Sequence, residues 1–216
     1  TQAGHLAVWA AIAAHKLQAP VKLRLDRDDD FAITGKRHPF QYRYRVGFDD
    51  AGVLCGLDLT LMSNCGFSAD LSGPVNDRAV FHCDNAYFLK DVRITSYRLK
   101  TNTQSHTAFR GFGGPQGMIL IETIMGEIAR KLGLDPLQVR IRNLYDAPQA
   151  KTGARNTTHY QMQVEDNILH DLLPKLEQSA QYQRRREAIS SWNQSNPIIK
   201  RGIAITPVKF GISFNV

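Results

Sequence analysis

A glycine-rich stretch directly before a long apolar helix is the feature that most constrains the fold of this chain. It reads SHTAFRGFGGPQGM over residues 105–118, with glycines at 111, 113 and 114. Because glycine lacks a Cβ, these positions allow positive φ angles and very close approach of other atoms. The stretch therefore predicts one of two things: a loop that holds an anionic or oxo-bearing ligand at a helix N-terminus, or a tight crossing between two layers.

The helix that follows this stretch is predicted from its residue spacing. Pro115 suits the first helical turn, where its missing N–H is harmless. Gly133 is placed to end the helix in a left-handed cap, and Asp135 with Pro136 to begin another helix that extends to Asn143. Between Pro115 and Gly133, apolar side chains recur every three or four residues, at Met118, Ile121, Met125, Ile128 and Leu132.

Two extended segments earlier in the chain predict a hairpin. FQYRYRVGFD and GVLCGLDLTLMSN flank a turn at Asp49, Asp50, Ala51 and Gly52, where glycine tolerates positive φ. Further strands are predicted for VKLRL at 21–25, DVRITSYRLKTN at 91–102 and RGIAITPVKFGISFNV at 201–216, with residues 26–40 as a polar connector between elements.

Helical spacing also predicts a first helix over residues 6–17 and two late helices over about 164–178 and 179–192. Helices that follow strands irregularly, with a hairpin in the middle, favour an α+β fold of layered antiparallel strands and helices over a doubly wound parallel sheet. GFGGPQG is accordingly a weak nucleotide signature, since no strand, glycine turn and helix surround it in dinucleotide-fold order.

Composition excludes some classes of protein. Hydrophobic residues make up 43% of the 216 residues, enough for a sizeable core, and no apolar run approaches the ~20 residues of a membrane span. The net charge of +7 and the run Arg184, Arg185 and Arg186 leave a basic, noncatalytic nucleic-acid-binding module as a distant alternative. No interleaved aromatic residues support it, so the arginine run is predicted to be a solvated helix face.

Metal ligation by side chains is not predicted. Cys55, Cys65 and Cys83 lack CxxC spacing, and the seven histidines show neither HxH nor HExxH. Free thiols and the lack of a signal sequence favour a reducing compartment, with the cytoplasm as the expected location. The chain enters a helix with almost no lead-in and finishes on an apolar segment without a partner, so a fragment of a longer protein is expected.

Three side chains of the glycine-rich stretch, and an arginine earlier in the chain, are candidate site residues. Phe109 and Phe112 either fill core or stack on a flat ring at a pocket wall. Arg110 either pairs with a carboxylate in solvent or orients a ligand. Arg78 lies in NDRAVFHCDN among apolar neighbours, which predicts partial burial, and a buried arginine requires an acceptor.

Four separated segments resemble one known family. TNTQSHTAFRGFGGPQGMILIETIM, DRDDDFAITGKRHPF, NDRAVFHCDNAY and KFGISF are similar, in the same order, to the molybdenum-binding portion of the xanthine dehydrogenase and aldehyde oxidase family of molybdenum hydroxylases. The similarity runs through essentially the whole chain. It implies that residues 1–145 are part of a molybdopterin-binding domain carrying the substrate-pocket loop. Residues 146–216 would be a helical segment leading into a second, incomplete lobe.

The resemblance implies a cofactor and site residues. A molybdopterin dithiolene holds the molybdenum in this family, so a protein ligand cluster is not needed. The backbone of Arg110 and Gly111 would approach the metal's ligands, with the glycines giving clearance. Phe112 would stack on a purine, and Arg78 would orient the purine and stabilise negative charge that develops on its oxygen. No catalytic residue is expected in this chain, because the family's glutamate base has no match here.

The resemblance also implies a parent enzyme. Arg78 favours hypoxanthine or xanthine, hydroxylated toward urate, whereas aldehyde oxidases generally lack this arginine; an aldehyde oxidase or another purine hydroxylase is the alternative. Iron-sulfur clusters and FAD would belong to absent regions or subunits, and the parent is expected to be an oligomer. No nucleic acid or membrane partner is expected, and the fragment alone should be inactive.

Overall fold

The computed structural model describes residues 4–147, 150 and 155–211. Seven helices and three strands occupy these residues, in the order α1 (Gly4–Leu17), α2 (Arg27–Ile33), β1 (Phe40–Phe48), β2 (Leu54–Gly66), α3 (Ser72–Phe81), β3 (Val92–Lys100), α4 (Gly114–Leu132), α5 (Pro136–Asn143), α6 (Leu169–Ser179) and α7 (Tyr182–Ser195). The predicted α+β class is confirmed. No helix among the described residues has both the length and the apolar character needed to cross a membrane.

The predicted hairpin is confirmed as β1 and β2. The two strands are antiparallel, with Tyr42 opposite Leu61. Their turn contains Gly52 at a φ of 79°, and the Asp49 side chain accepts hydrogen bonds from the backbone N–H groups of Ala51 and Val53 at 3.0 and 2.8 Å. Sequence identified this hairpin because its pairing and its turn are both local.

The third strand departs from the prediction. β3 pairs with β2 in parallel, so the sheet is mixed and antiparallel pairing throughout was wrong for this pair. A parallel neighbour requires a crossover connection, because the chain must return to the same end of the sheet before pairing. Helix α3, which the sequence did not predict as a helix, lies in that connection between Gly66 and Val92.

Helix α4 supplies most of the helical side of the core. Its apolar positions at 121, 124, 125 and 128 are buried in one cluster with Leu59 and Leu61 of β2. Burying each such side chain contributes about 1.5–3 kcal/mol, so the apolar repeat read from sequence fixes which face of α4 meets the sheet. Leu173 of α6 and Tyr182 of α7 join the same cluster.

Capping residues end and begin α4 and α5 as predicted. Gly133 has a φ of 67° at the end of α4. Asp135 accepts hydrogen bonds from Leu137 N at 2.7 Å and Gln138 N at 3.4 Å at the start of α5. The Asn143 side chain then accepts from Leu54 N and donates to Gly52 O, both at 2.8 Å, so the end of α5 is tied to the hairpin.

Other predicted elements differ from the structure. VKLRL is largely exposed and pairs with no strand in the described chain, and the connector after it contains α2. Helix α2 begins because Asp26 accepts from Asp29 N at 2.8 Å, and three aspartates in the first turn complement the helix dipole. Helices α6 and α7 begin a few residues later than predicted. Residues 201–211 form neither a helix nor part of the sheet; the rest of that predicted strand, 212–216, lies outside the described residues.

Candidate functional site

The glycine stretch forms a tight crossing between α3 and α4. Gly113, at the N-cap of α4, has a φ of 98°, and a Cβ there would lie 2.0 Å from Val75 O. A Cβ on Gly117, one turn later, would lie 2.3 Å from Ala79 O. The second of the two explanations drawn from sequence therefore holds for these two positions. Their consequence is that α3 is held directly against the start of α4.

The outer edge of the same loop faces solvent. Phe109 is 53% exposed and Arg110 is exposed. Gly111 turns the chain at a φ of 88°, where a Cβ would lie 2.5 Å from the Pro115 ring. In the described part of the chain, no oxygen accepts a hydrogen bond from the N–H of Arg110 or Gly111. These two donors are therefore available to a ligand with oxygen acceptors.

Arg37 holds this outer edge in place. Its Nη2 donates to Arg110 O, its Nη1 lies 3.4 Å from Gln116 Oε1, and its guanidinium carbon is 4.5 Å from the centre of the Phe109 ring. Sequence analysis missed Arg37, because an arginine in a polar connector carries no local signal. The segment that contains Arg37 could have been singled out from the sequence, since it is one of the four that carry the family resemblance.

Arg78 is buried on α3, on the other side of the crossing. Its residue is 6% exposed, its Nη1 donates to Gly211 O at 3.1 Å, and its guanidinium carbon is 5.2 Å from the centre of the Phe210 ring. The acceptor that a buried arginine requires is thus supplied in part by the backbone of residues 205–211. We call residues 205–211 the terminal segment.

Phe210 lies between Arg78 and the start of α4. A Cβ on Gly114 would meet the Phe210 ring at 2.6 Å, so a side chain there would displace the ring from this position. The structure therefore brings Arg78, Phe210 and the first turn of α4 together. Phe112 sits in the preceding turn at a φ of 49°, with its N–H donating to Phe109 O at 2.7 Å. Left-handed backbone is unusual for a bulky residue and is typical of constrained functional loops.

His82 links α3 to the terminal segment. Its Nδ1 lies 2.9 Å from Arg78 O, and its Nε2 accepts from Gly211 N at 3.4 Å. Since one ring nitrogen faces a carbonyl and the other an N–H, the ring is neutral with its proton on Nδ1. Burial lowers the pKa of His82 below its usual value, which agrees with the neutral form. Sequence analysis missed this role because Gly211 meets His82 only through the tertiary fold.

A second pair of histidines lies next to the loop. His38 and His106 are buried with ring centres 5.9 Å apart, and His38 Nε2 is 2.7 Å from Ser72 Oγ. Burial, together with His106, lowers the pKa of His38 to about 4. Both rings are therefore neutral structural groups at ordinary pH. Within the described residues, no group of three or more His, Cys, Asp and Glu side chains could hold a metal.

The arginine run is a surface feature, as predicted. Arg184 and Arg185 are exposed on α7, and Arg186 Nε contacts Asp135 Oδ2 at 2.8 Å. The three cysteines are free.

Taken with this fold and loop, residues 1–144 match the molybdopterin cofactor-binding domain family, and the chain belongs to that family. The particular relatives are xanthine dehydrogenases and similar enzymes. The chain is 44% identical to the xanthine dehydrogenase/oxidase of Gallus gallus over 98% of its own length, which is 15% of that protein. It is also 41% identical to a nicotinate hydroxylase of Emericella nidulans over 97% of the chain and 15% of that relative.

A solved structure has the same fold. The aldehyde oxidoreductase of Desulfovibrio desulfuricans superposes with a TM-score of 0.69 and 25% identity, covering 83% of this chain and 19% of that one. The chain therefore spans about 15% of the length of the curated relatives and about a fifth of the structural one.

Proposed function

We propose that this chain forms one wall of the active site of an enzyme that hydroxylates hypoxanthine and xanthine toward urate at a molybdenum-molybdopterin centre. One observation supports this above the others: the buried Arg78 guanidinium lies beside the aromatic Phe210 and the glycine crossing. A fixed cation next to flat apolar surface suits an oxygen-bearing heteroaromatic ring. The similarity to xanthine dehydrogenases supports purines as the substrate class.

The residues of the loop fit the cofactor on a separate observation. The N–H groups of Arg110 and Gly111 are without an acceptor in the described chain and lie on the exposed edge of the turn. These N–H groups would approach the oxygen ligands around the metal. The Arg110 carbonyl would stay in its place because it accepts a hydrogen bond from Arg37. When bound, the molybdenum centre supplies the two-electron acceptor that hydroxylation of an electron-poor ring carbon needs.

The side chains of this chain then bind and orient the substrate. Arg78 donates to a purine oxygen and stabilises negative charge as it develops there, and this contribution is large because the site is sheltered from water. Phe112 provides the face on which the ring stacks. The base that removes a proton comes from outside this chain, so the chain alone is inactive.

The rest of the parent supplies the remaining parts. We place the pocket wall in residues 1–145 and the start of a second lobe in residues 146–216. Electrons would leave through iron-sulfur clusters and FAD in other domains or subunits of a cytoplasmic, oligomeric enzyme. The much greater length of the relatives supports the presence of such further parts.

The test is Arg78→Met in the full-length parent. Turnover of xanthine should fall by on the order of a hundredfold, because a donor to the developing charge is lost. Turnover of a simple aromatic aldehyde should change little, since the aldehyde presents no second oxygen to Arg78. Arg130→Met, at an exposed position on α4, is the matched control. Equal losses with both substrates, at equal molybdenum content, would refute the role given to Arg78.

A second substrate is favoured by one specific relative. The similarity to a nicotinate hydroxylase raises a carboxylated ring as the substrate, because a carboxylate also pairs with a buried guanidinium. Steady-state kinetics of the parent with xanthine, hypoxanthine and nicotinate separate the two. A kcat/KM for nicotinate above that for both purines would replace the first proposal by the second.

A further inference from the structure

We propose that Lys209 and Asp84 are positioning residues that fix the Arg78 guanidinium, and thereby purine selectivity, by holding the terminal segment against the end of α3. The inference rests on the proposed function, because it acts through the role given to Arg78. Asp84, Asn85 and Lys209 together are called the latch. None of them is expected to touch substrate.

The first part of the latch is an ion pair between the buried Asp84 carboxylate and the partly exposed Lys209 ammonium. The Asp84 side chain is fully buried, and its Oδ2 accepts from Lys209 Nζ at 2.6 Å and from the Tyr145 hydroxyl at 2.6 Å. The Lys209 ammonium also lies 5.5 and 5.4 Å from the ring centres of Tyr145 and Tyr160. A pair of this kind holds a single geometry, because separating it would leave an uncompensated charge in a low-dielectric interior.

The second part of the latch is the Asn85 side chain. Its Nδ2 donates to Pro207 O at 2.8 Å and its Oδ1 accepts from Lys209 N at 3.1 Å, so it grips the backbone on both sides of Val208. Asn85 Nδ2 also lies 2.9 Å from Glu122 Oε1 of α4. The terminal segment is therefore anchored to the protein core as well as to the turn that follows α3.

The latch is only two residues away from the groups that contact the Arg78 guanidinium. Phe210 and Gly211, the two residues after Lys209, are those whose ring and carbonyl contact the Arg78 guanidinium. The Gly211 N–H simultaneously donates to His82, which contacts the Arg78 carbonyl. Since consecutive Cα atoms are only about 3.8 Å apart, displacement at Lys209 should move Gly211 O, one acceptor of Arg78.

The latch acts through position, because it sets where the donors of the Arg78 guanidinium point. Small displacements of a substrate-orienting group lower turnover strongly, because reacting atoms must meet within a narrow range of geometry. A latch of this kind would affect purines, which depend on Arg78, and spare substrates that do not.

The experiment is a double-mutant cycle in the full-length parent loaded with its own cofactors. Lys209→Met, Arg78→Met and the double variant are assayed with xanthine and with a simple aromatic aldehyde, after matching for molybdenum content. We expect Lys209→Met to lower kcat/KM for xanthine on the order of tenfold. We expect less than about a twofold change for the aldehyde, and no further loss for xanthine when Arg78 is already Met. Lys200→Met, at an exposed lysine a few residues before the terminal segment, is the matched control.

A purely structural role would give a different pattern. Both substrates would lose turnover equally, or the losses at Lys209 and Arg78 would be independent and multiply, and either result would overturn the proposal. If Lys209→Met does not accumulate as loaded enzyme, the pair Asp84→Asn and Lys209→Met removes both charges without leaving one buried alone, and the same pattern is required of it. A substrate-selective loss in Arg78→Met but not in the latch variants would refute the latch alone, whereas no selective loss in Arg78→Met would refute the proposed function.

Discussion

At the scale of single residues, the glycines of the loop divide into two groups with different structural roles. Gly113 and Gly117 remove Cβ atoms that would collide with the backbone of α3. Gly111 instead turns the chain at a φ of 88°, and its own N–H and that of Arg110 have no acceptor among the described residues. The motif therefore serves packing at Gly113 and Gly117, whereas ligand approach at Arg110 and Gly111 is part of the proposed function. Spacing alone could not separate these roles, because both require the absence of a side chain.

Gly113→Ala should be severely destabilising. The added Cβ would lie 2.0 Å from Val75 O at a position with a φ of 98°, so both sterics and backbone strain oppose it. We expect a loss of about 3 kcal/mol or more in the free energy of unfolding. Gly126→Ala in the same helix is the control, since nothing lies within 4 Å of its Cβ. Alanine there should stabilise by about 0.5–1 kcal/mol.

Urea denaturation followed by far-ultraviolet circular dichroism measures both variants. A Gly113→Ala protein as stable as the Gly126→Ala protein would show that the α3–α4 crossing relaxes easily, against the geometry described above.

At the scale of elements, capping decides where α5 begins. Asp135 both caps the helix and contacts Arg186 of α7, so two effects converge on one carboxylate. The cap is local in sequence, and it was predicted; the contact with α7 joins residues far apart, and it was not. This difference recurs in the molecule: local hydrogen bonds follow from residue type, whereas partners distant in sequence follow from packing.

Asp135→Ala and Asp135→Asn separate the two effects. Alanine removes the cap and should cost about 1 kcal/mol of unfolding free energy. Asparagine keeps an oxygen for the N–H groups of Leu137 and Gln138 but loses the charge that faces Arg186, so it should cost clearly less. Thermal or chemical denaturation gives the comparison, and equal losses in the two variants would assign the stabilisation to the ion pair rather than to the cap.

At the scale of the whole molecule, four shielded histidines make stability depend on pH. Burial lowers the pKa of His38, His82, His106 and His159 in the folded chain, that of His38 to about 4. Between the lowered values and the ordinary value near 6.5, the unfolded chain binds more protons than the folded one. Stability should thus be full above pH 6.5 and fall as pH decreases from there toward pH 4.

Unfolding free energies measured between pH 4.5 and 7.5 test this dependence. His38→Gln should flatten the slope, because it removes the group with the widest interval between folded and unfolded pKa. His15→Gln, on the exposed face of α1, is the control and should leave the slope unchanged. A His38→Gln slope equal to that of the unchanged chain would contradict the assignment.

The sequence by itself determined the features whose partners are neighbours. The β1–β2 hairpin follows from alternation and a glycine turn, and the limits of α4 and α5 follow from Pro115, Gly133 and Asp135. The identity of Arg78 as a buried residue needing an acceptor was also within reach, from its apolar neighbours. These predictions succeeded because each depends on a few adjacent residues and on the period of the apolar pattern.

Only the tertiary structure decided which distant groups meet. The parallel β2–β3 pair requires the crossover through α3. The hydrogen bond from Arg78 to Gly211 O joins residues 133 positions apart. Asp84 and Lys209 lie 125 positions apart and carry no shared motif. Such contacts exist because burying one apolar core brings the end of α3, the start of α4 and the terminal segment together, and no local preference specifies that meeting.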